Sequence, residues 1–172
     1  MKLNIVDIVT SGMRAVNKTL RNMSQIVLTE MPELRNVNVV NIRAMATENT
    51  FTSVMILQQK EKDAVVKGGL IVYISKFNIK NLFGALELDE FSGQAELEDM
   101  CGEFCNVIAG CFKTELVNLG YEDVQLSLPE NFYGVINQDY GIEATAKHTL
   151  NFSNAGRSLL TIDVFMEKSS TV

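Results

Sequence analysis

The chain lacks an excess of basic residues, holds a single histidine and has no cysteine outside one segment. It carries Lys+Arg 15 against Asp+Glu 21 over 172 residues, a formal net charge of -6 at pH 7. No basic cluster is interleaved with aromatics, so the electrostatic footprint expected of a nucleic-acid binder is missing. His148 is the only histidine, and the cysteines, Cys101, Cys105 and Cys111, fall in one short segment. An odd set packed so closely argues against a disulfide framework and for a reducing compartment. With no further histidine and no second cysteine pair, no zinc site is assembled. No run approaches the roughly 18 apolar residues of a membrane span, and Asn4 and Asp7 interrupt any apolar run long enough for a signal peptide. Linker-like and low-complexity stretches are absent as well. What is present, 47% hydrophobic content and a mean hydropathy of +0.09, suffices for a sizeable core. One soluble, cytoplasmic domain over 1–172 is expected.

Apolar residues at Ile5, Ile8, Val9, Val16, Leu20, Met23 and Val27 recur mostly at helical spacing, with Asn4 as N-cap, Asp7 in the first turn and an end before Pro32. Strand character follows over 37–45, 51–58 and 70–76, separated or interrupted by Glu48-Asn49, Glu61-Lys62-Asp63 and Gly68-Gly69. That glycine pair lacks the Lys-Ser/Thr and the helix of a phosphate-binding loop. A short helix is predicted over 78–86 and a second long one over 94–119, stopped by a left-handed cap at Gly120. Strands are then predicted at 124–128, 133–136, 142–152 and 158–166, the last two joined by a hairpin turn at Ser153-Asn154-Ala155-Gly156, before a frayed polar tail at 169–172. Long helix then strands occurs twice. The pattern predicts an α+β fold of two long helices and a mainly antiparallel sheet, and it suggests an internal duplication.

The second long helix carries an unusual polar stripe. At about 100° per residue from Asp99, Glu103 lies near 40°, Asn106 near 340°, Gly110 near 20° and Lys113 near 320°, while Leu97, Cys101, Phe104, Ile108 and Leu119 cluster opposite. Asn is a poor helix former and an interior Gly costs about 1 kcal/mol relative to Ala, so Gly102, Asn106 and Gly110 weaken the helix. Asp99, Glu103 and Asn106 stand at i, i+4 and i+7 and stack along two turns. A carboxylate can pair with a partner's lysine, and a carboxamide can orient a water without holding charge. Asn does not titrate, so hydrolysis here would rest on placing water for in-line attack, a strategy that phosphoryl transfer tolerates. Spacing alone favours an ordinary solvated helix face over a functional stripe. Cys101 and Cys105 at i, i+4 read as small core residues, and Pro129 as the exit of a strand.

Asp99, Glu103 and Asn106, followed after 22 intervening residues by Pro129, resemble the motif of the CheC/CheX family of chemotaxis phosphatases. Residues 102–110 also resemble that family's Gly-Glu-x-x-Asn-x-x-Ala-Gly core. The resemblance implies an enzyme that hydrolyses the phosphoaspartate of a CheY-type receiver. Glu103 would contact the receiver's active-site lysine and Asn106 would position the attacking water, with Asp99, Gly102, Gly110 and Pro129 as supporting motif positions. It implies no cofactor of the chain's own; Mg²⁺ would belong to the receiver. The first helix offers Ser11, Ala15 and Lys18 at the corresponding spacing, without the Glu or Asn. One site per chain, as in the CheX branch, and a homodimer paired through sheet edges are therefore implied. The rival expectation is a non-catalytic adaptor that binds a receiver, a chemoreceptor deamidase or a flagellar switch component.

Overall fold

In the computed structural model, residues 1–84 and 93–168 are described. Asn4 caps the first helix, its Oδ1 accepting from the Asp7 amide at 2.9 Å, and α1 runs Ile5–Ser24. It stops where Gln25 turns left-handed (φ 54), so Val27, expected on its apolar face, is instead exposed beyond its end. Four strands follow, β1 (Glu33–Asn38), β2 (Asn41–Ala46), β3 (Thr50–Glu61) and β4 (Ala64–Ser75), then a 3-10 turn (Lys76–Asn78) and α2 (Ile79–Phe83). The second half repeats the order with α3 (Gln94–Asn118), β5 (Val124–Leu126), β6 (Glu130–Tyr133), β7 (Ile136–Glu143), β8 (Ala146–Asn154) and β9 (Arg157–Met166). The end of the helix expected over 78–86 and the tail at 169–172 lie outside the described residues.

Gly120 (φ 99) closes α3 as expected: its N–H donates to Val117 O at 2.8 Å and that of Tyr121 to Leu116 O at 3.0 Å. Tyr121 then ties the two long helices together. Its hydroxyl donates to Asp7 Oδ2 at 2.5 Å and accepts from Asn4 Nδ2 at 3.1 Å. Burial, then the bond to Asp7 and its charge, push this phenol up to about 12. Further along, Lys18 of α1 pairs with Glu115 of α3. The start of α1 therefore meets the end of α3, and the helices pack antiparallel.

Among the described residues every strand pairing is antiparallel. The seven-stranded sheet has the order β1-β8-β9-β4-β3, with β5 and β6 sharing the outer edge of β3. Exchanging β1 for β5/β6, β3 for β8 and β4 for β9 returns the same order reversed, and the remaining strands, β2 and β7, pair with each other. The duplication weakly visible in the sequence is thus written in the topology. Alternation in the strands feeds two cores. Met55, Leu57, Leu70, Val72, Ile162 and Val164 face α1 and α3, whereas Val54, Ile71 and Phe165 pack against Ile42, Ala44 and Ile142 of the β2–β7 ribbon.

Four readings of the strands change. Residues 133–136 fall on the break between β6 and β7, and 142–152 spans the end of β7 and most of β8, in different sheets. The run 37–45 is two strands in different sheets, and Gly68-Gly69 lies inside β4 instead of breaking it. A Cβ on Gly69 would run into the Met55 carbonyl oxygen and lie 2.7 Å from Phe165 Cζ; one on Gly68 would lie 2.9 Å from the Phe165 carbonyl oxygen and 3.1 Å from Ile8 Cδ1. The glycines let β3 and β9 close on β4 with α1 lying across it.

Candidate functional site

Rotation of α3 is fixed from beneath. Cys101, Phe104, Cys105, Ile108 and Phe112 are fully buried, and the Phe104 ring meets Phe83 of α2 edge-on, centroids 5.5 Å apart at 89°. The opposite face therefore points outward, and Asp99, Glu103, Asn106 and Gly110 are all exposed. Both deep cysteines behave as packing. Burial, with a smaller contribution from the Glu98 carboxylate, pushes the Cys101 thiol up to about 12, and burial raises Cys105 further. Neither is a thiolate at neutral pH.

A groove of about 510 Å³ runs along the outward face, between β6 and the Glu98–Asn106 stretch of α3. Asp99, Gly102, Glu103 and Asn106 line it, joined by Glu98 of the same helix and by Phe51, Asn131, Phe132 and Tyr133. Gly110 lies two turns beyond Gly102 on the same helix, outside the groove. Pro129 does not line it either. It sits in the interruption between β5 and β6, where β3 passes from pairing Leu57 with Leu126 to pairing Val54 with Glu130. Ser127 bridges part of the gap, its N–H donating to Ile56 O at 2.8 Å and its Oγ accepting from the Ile56 N–H at 2.9 Å. A proline, having no N–H to donate, suits such a break on an edge.

The far wall of the groove is what sequence reading missed. In the β3–β6 register Asn131 stands opposite Ser53, whose buried Oγ donates to Asn131 Oδ1 at 2.7 Å. This turns the Asn131 amide toward Gly102, where an added Cβ would lie 3.5 Å from Nδ2. Glu98, four residues before Gly102, was legible only as another helix charge.

Electrostatically the groove has one sign. Its lining among the described residues holds three carboxylates, Glu98, Asp99 and Glu103, and no Lys or Arg. Among the described residues no three His, Cys, Asp or Glu side chains converge to hold a metal ion. A free phosphate would be repelled, while an ammonium group from a partner would be attracted. Among the described residues neither Glu103 nor Asn106 has a side-chain hydrogen-bond partner within the chain.

In the first helix, Ser11 and Ala15 are fully buried, so the Ser11, Ala15, Lys18 set does not form an outward stripe. The exposed positions at the same spacing are Arg14, Lys18 and Arg21. No helix among the described residues is long and apolar enough to cross a membrane.

No curated protein matches the chain. Solved structures similar to it include a CheC-like superfamily protein from Shewanella sp. PV-4, with TM-score 0.66 and 20% identity, covering 96% of this chain and 100% of that one. A chemotaxis protein CheX from Vibrio vulnificus gives TM-score 0.65 and 16% identity over 94% of this chain and 99% of its own. A third is a CheX-CheY-BeF3-Mg²⁺ complex from Borrelia burgdorferi, with TM-score 0.60 and 18% identity over 96% of this chain and 100% of that one. At these identities the likeness is one of fold, and it bears out the α+β class. The family described as "Chemotaxis phosphatase CheX" has a model that matches residues 61–150, from the end of β3 through α3 and β6 into β8. With just over half of its length so matched, this chain belongs to the CheX family.

Proposed function

We propose that the chain hydrolyses the phosphoaspartate of a CheY-type receiver. The observation that carries this reading is the pair Glu103 and Asn106, exposed on a helix locked by Phe104 and free of partners among the described residues, over a groove without cations. A site built to grip phosphate by itself would need positive charge. This one suits a substrate that brings its own phosphate-binding groups. Glu103 takes the receiver's active-site lysine as an ion pair, which registers the helix on the partner. Asn106 then reaches the phosphoryl group, its Oδ1 accepting from a water and its Nδ2 available to a phosphoryl oxygen. The water oxygen attacks phosphorus in line, the phosphorus–aspartyl oxygen bond breaks, and the aspartate leaves as a carboxylate while the water's protons remain with inorganic phosphate and solvent. Mg²⁺ belongs to the receiver, as the Borrelia complex of CheX with CheY, BeF3 and Mg²⁺ supports. Asp99 and Gly102 shape the groove, Gly110 keeps the helix face low, and Pro129 helps aim β6.

The active unit on this reading is one cytoplasmic domain over 1–172, assembled as a homodimer. Among the described residues β1 is the terminal strand of the seven-stranded sheet, with Leu34 58% exposed, and a second β1 laid antiparallel across a two-fold axis would pair with its outer edge. A monomeric mass at micromolar concentration would contradict the dimer.

Phosphate release from a phosphorylated receiver tests the chemistry. The wild type accelerates release. Glu103→Ala lowers turnover and weakens binding to a beryllofluoride-activated receiver. Binding of that receiver without any acceleration would support an adaptor and sink the enzyme.

A further inference from the structure

Arg14, Lys18 and Arg21 are exposed at i, i+4 and i+7 on α1, a cationic stripe on a chain of net charge -6. The stripe is built into the fold. Glu115 of α3, its side chain 6% exposed, pairs with Lys18 and, at 3.7 Å, with Arg14. One buried carboxylate thus holds two cations and neutralises one of them. Arg21 has no ion-pair partner among the described residues.

The antiparallel packing sets where this stripe stands. Asp7 meets Tyr121, and Arg14 and Lys18 meet Glu115, so Arg21 lies roughly level with residues 107–111 of α3, about a turn from Asn106 along the axis. Helix axes pack about 8–10 Å apart, which puts the three cations about 10–20 Å from Asn106. The outer surface of the helix layer is therefore polarised. Along the helix axes Glu98, Asp99 and Glu103 precede Asn106 on α3, and the cations of α1 lie level with Gly110 and beyond.

We propose that Arg14, Lys18 and Arg21 form a second contact that selects receivers bearing an acidic patch about 10–20 Å from the phosphoaspartate. The inference rests on the phosphatase reading and adds to it a specificity determinant outside the groove. Glu103 draws a cation of the partner at one pole and the α1 stripe draws carboxylates at the other, so only one orientation satisfies both. A competing role for Arg21, stabilising the end of α1 through the helix dipole, would affect stability alone.

Steady-state phosphate release from an acetyl-phosphate-charged CheY receiver separates these roles. At low salt Arg21→Glu raises KM about tenfold while kcat stays within about twofold, since charges outside a reacting centre act on encounter and docking. The difference shrinks as salt is raised from ~0.05 to ~0.3 M. Arg21→Lys, which keeps the charge, restores the low KM. Binding of the beryllofluoride-activated receiver weakens in parallel for Arg21→Glu. An unchanged KM with unchanged salt dependence, on a receiver that the wild type does dephosphorylate, overturns the stripe alone. Wild-type release no faster than the receiver's own decay overturns the phosphatase reading beneath it.

Discussion

Replacing Gly110 with alanine sets stability against function at a single position. An added Cβ meets nothing within 4 Å, and the residue is exposed in the middle of α3. The substitution therefore costs no packing and gains the helix-propensity difference, about 0.8–1.0 kcal/mol. For a chain of this size that raises Tm by about 2–4 °C. The same methyl stands on the outward face one turn beyond Asn106. If this face is pressed on a partner, it lifts the carboxamide away from its target, and a misplacement of about 1 Å can cost on the order of 100-fold in rate. Thermal unfolding followed by circular dichroism and phosphate release from a phosphorylated receiver measure the two effects on one preparation. The expected outcome is a more stable, slower enzyme, with kcat/KM down at least about tenfold. A protein that gains stability and keeps full turnover would refute the view that Gly110 is kept small for a partner.

Gly69→Ala should lower stability by at least about 1–3 kcal/mol, because its methyl would strike the Met55 carbonyl and the Phe165 ring; urea unfolding measures the loss, and a neutral result would show that β4 can shift. Asn131→Ala leaves the buried Ser53 hydroxyl without its acceptor and should cost about 1–3 kcal/mol, whereas the Ser53→Ala, Asn131→Ala double variant should lose less than the two single losses combined; strict additivity would deny the coupling. The Tyr121 phenol gives a pH signature: an unfolded tyrosine ionises near 10 and the folded one only near 12. Its contribution is complete below pH 10 and is lost as pH rises to about 12, so the stability advantage of wild type over Tyr121→Phe should shrink across that window, and a constant advantage would contradict the assignment.

Features encoded locally were legible in the sequence. The Asn4 cap, the Gly120 terminus and the Ser153–Gly156 turn each need only a few adjacent residues, and each forms where the sequence places it. The α3 stripe was readable for the same reason, since one helical period orders its residues. Long-range pairing was not. Residues 37–45 look like one strand because β-forming residues carry no mark of which sheet they join; Val39 and Val40 are taken up by Thr145 and Ala144, more than 100 positions away. Gly68 and Gly69 read as a break because the pressure that requires them comes from β3, β9 and α1. The far wall of the groove stayed hidden likewise, for Asn131 reaches Gly102 only through the β3–β6 register. On α1, motif spacing pointed to Ser11 and Ala15, while the apolar periodicity of Ile8, Val16 and Leu20 already turned those two inward and Arg14, Lys18 and Arg21 outward.

The central claim is that Asn106 places water on a phosphoaspartate held by another protein. Single-turnover phosphate release from a phosphorylated receiver, wild type against Asn106→Ala, addresses it most directly. Asn106 is exposed and bonded to nothing among the described residues, so the variant should fold and bind the receiver as the wild type does. Release should fall to the receiver's own rate, a loss on the order of 100-fold or more if positioning supplies the catalysis. An Asn106→Ala protein that still accelerates release as the wild type does would contradict the account.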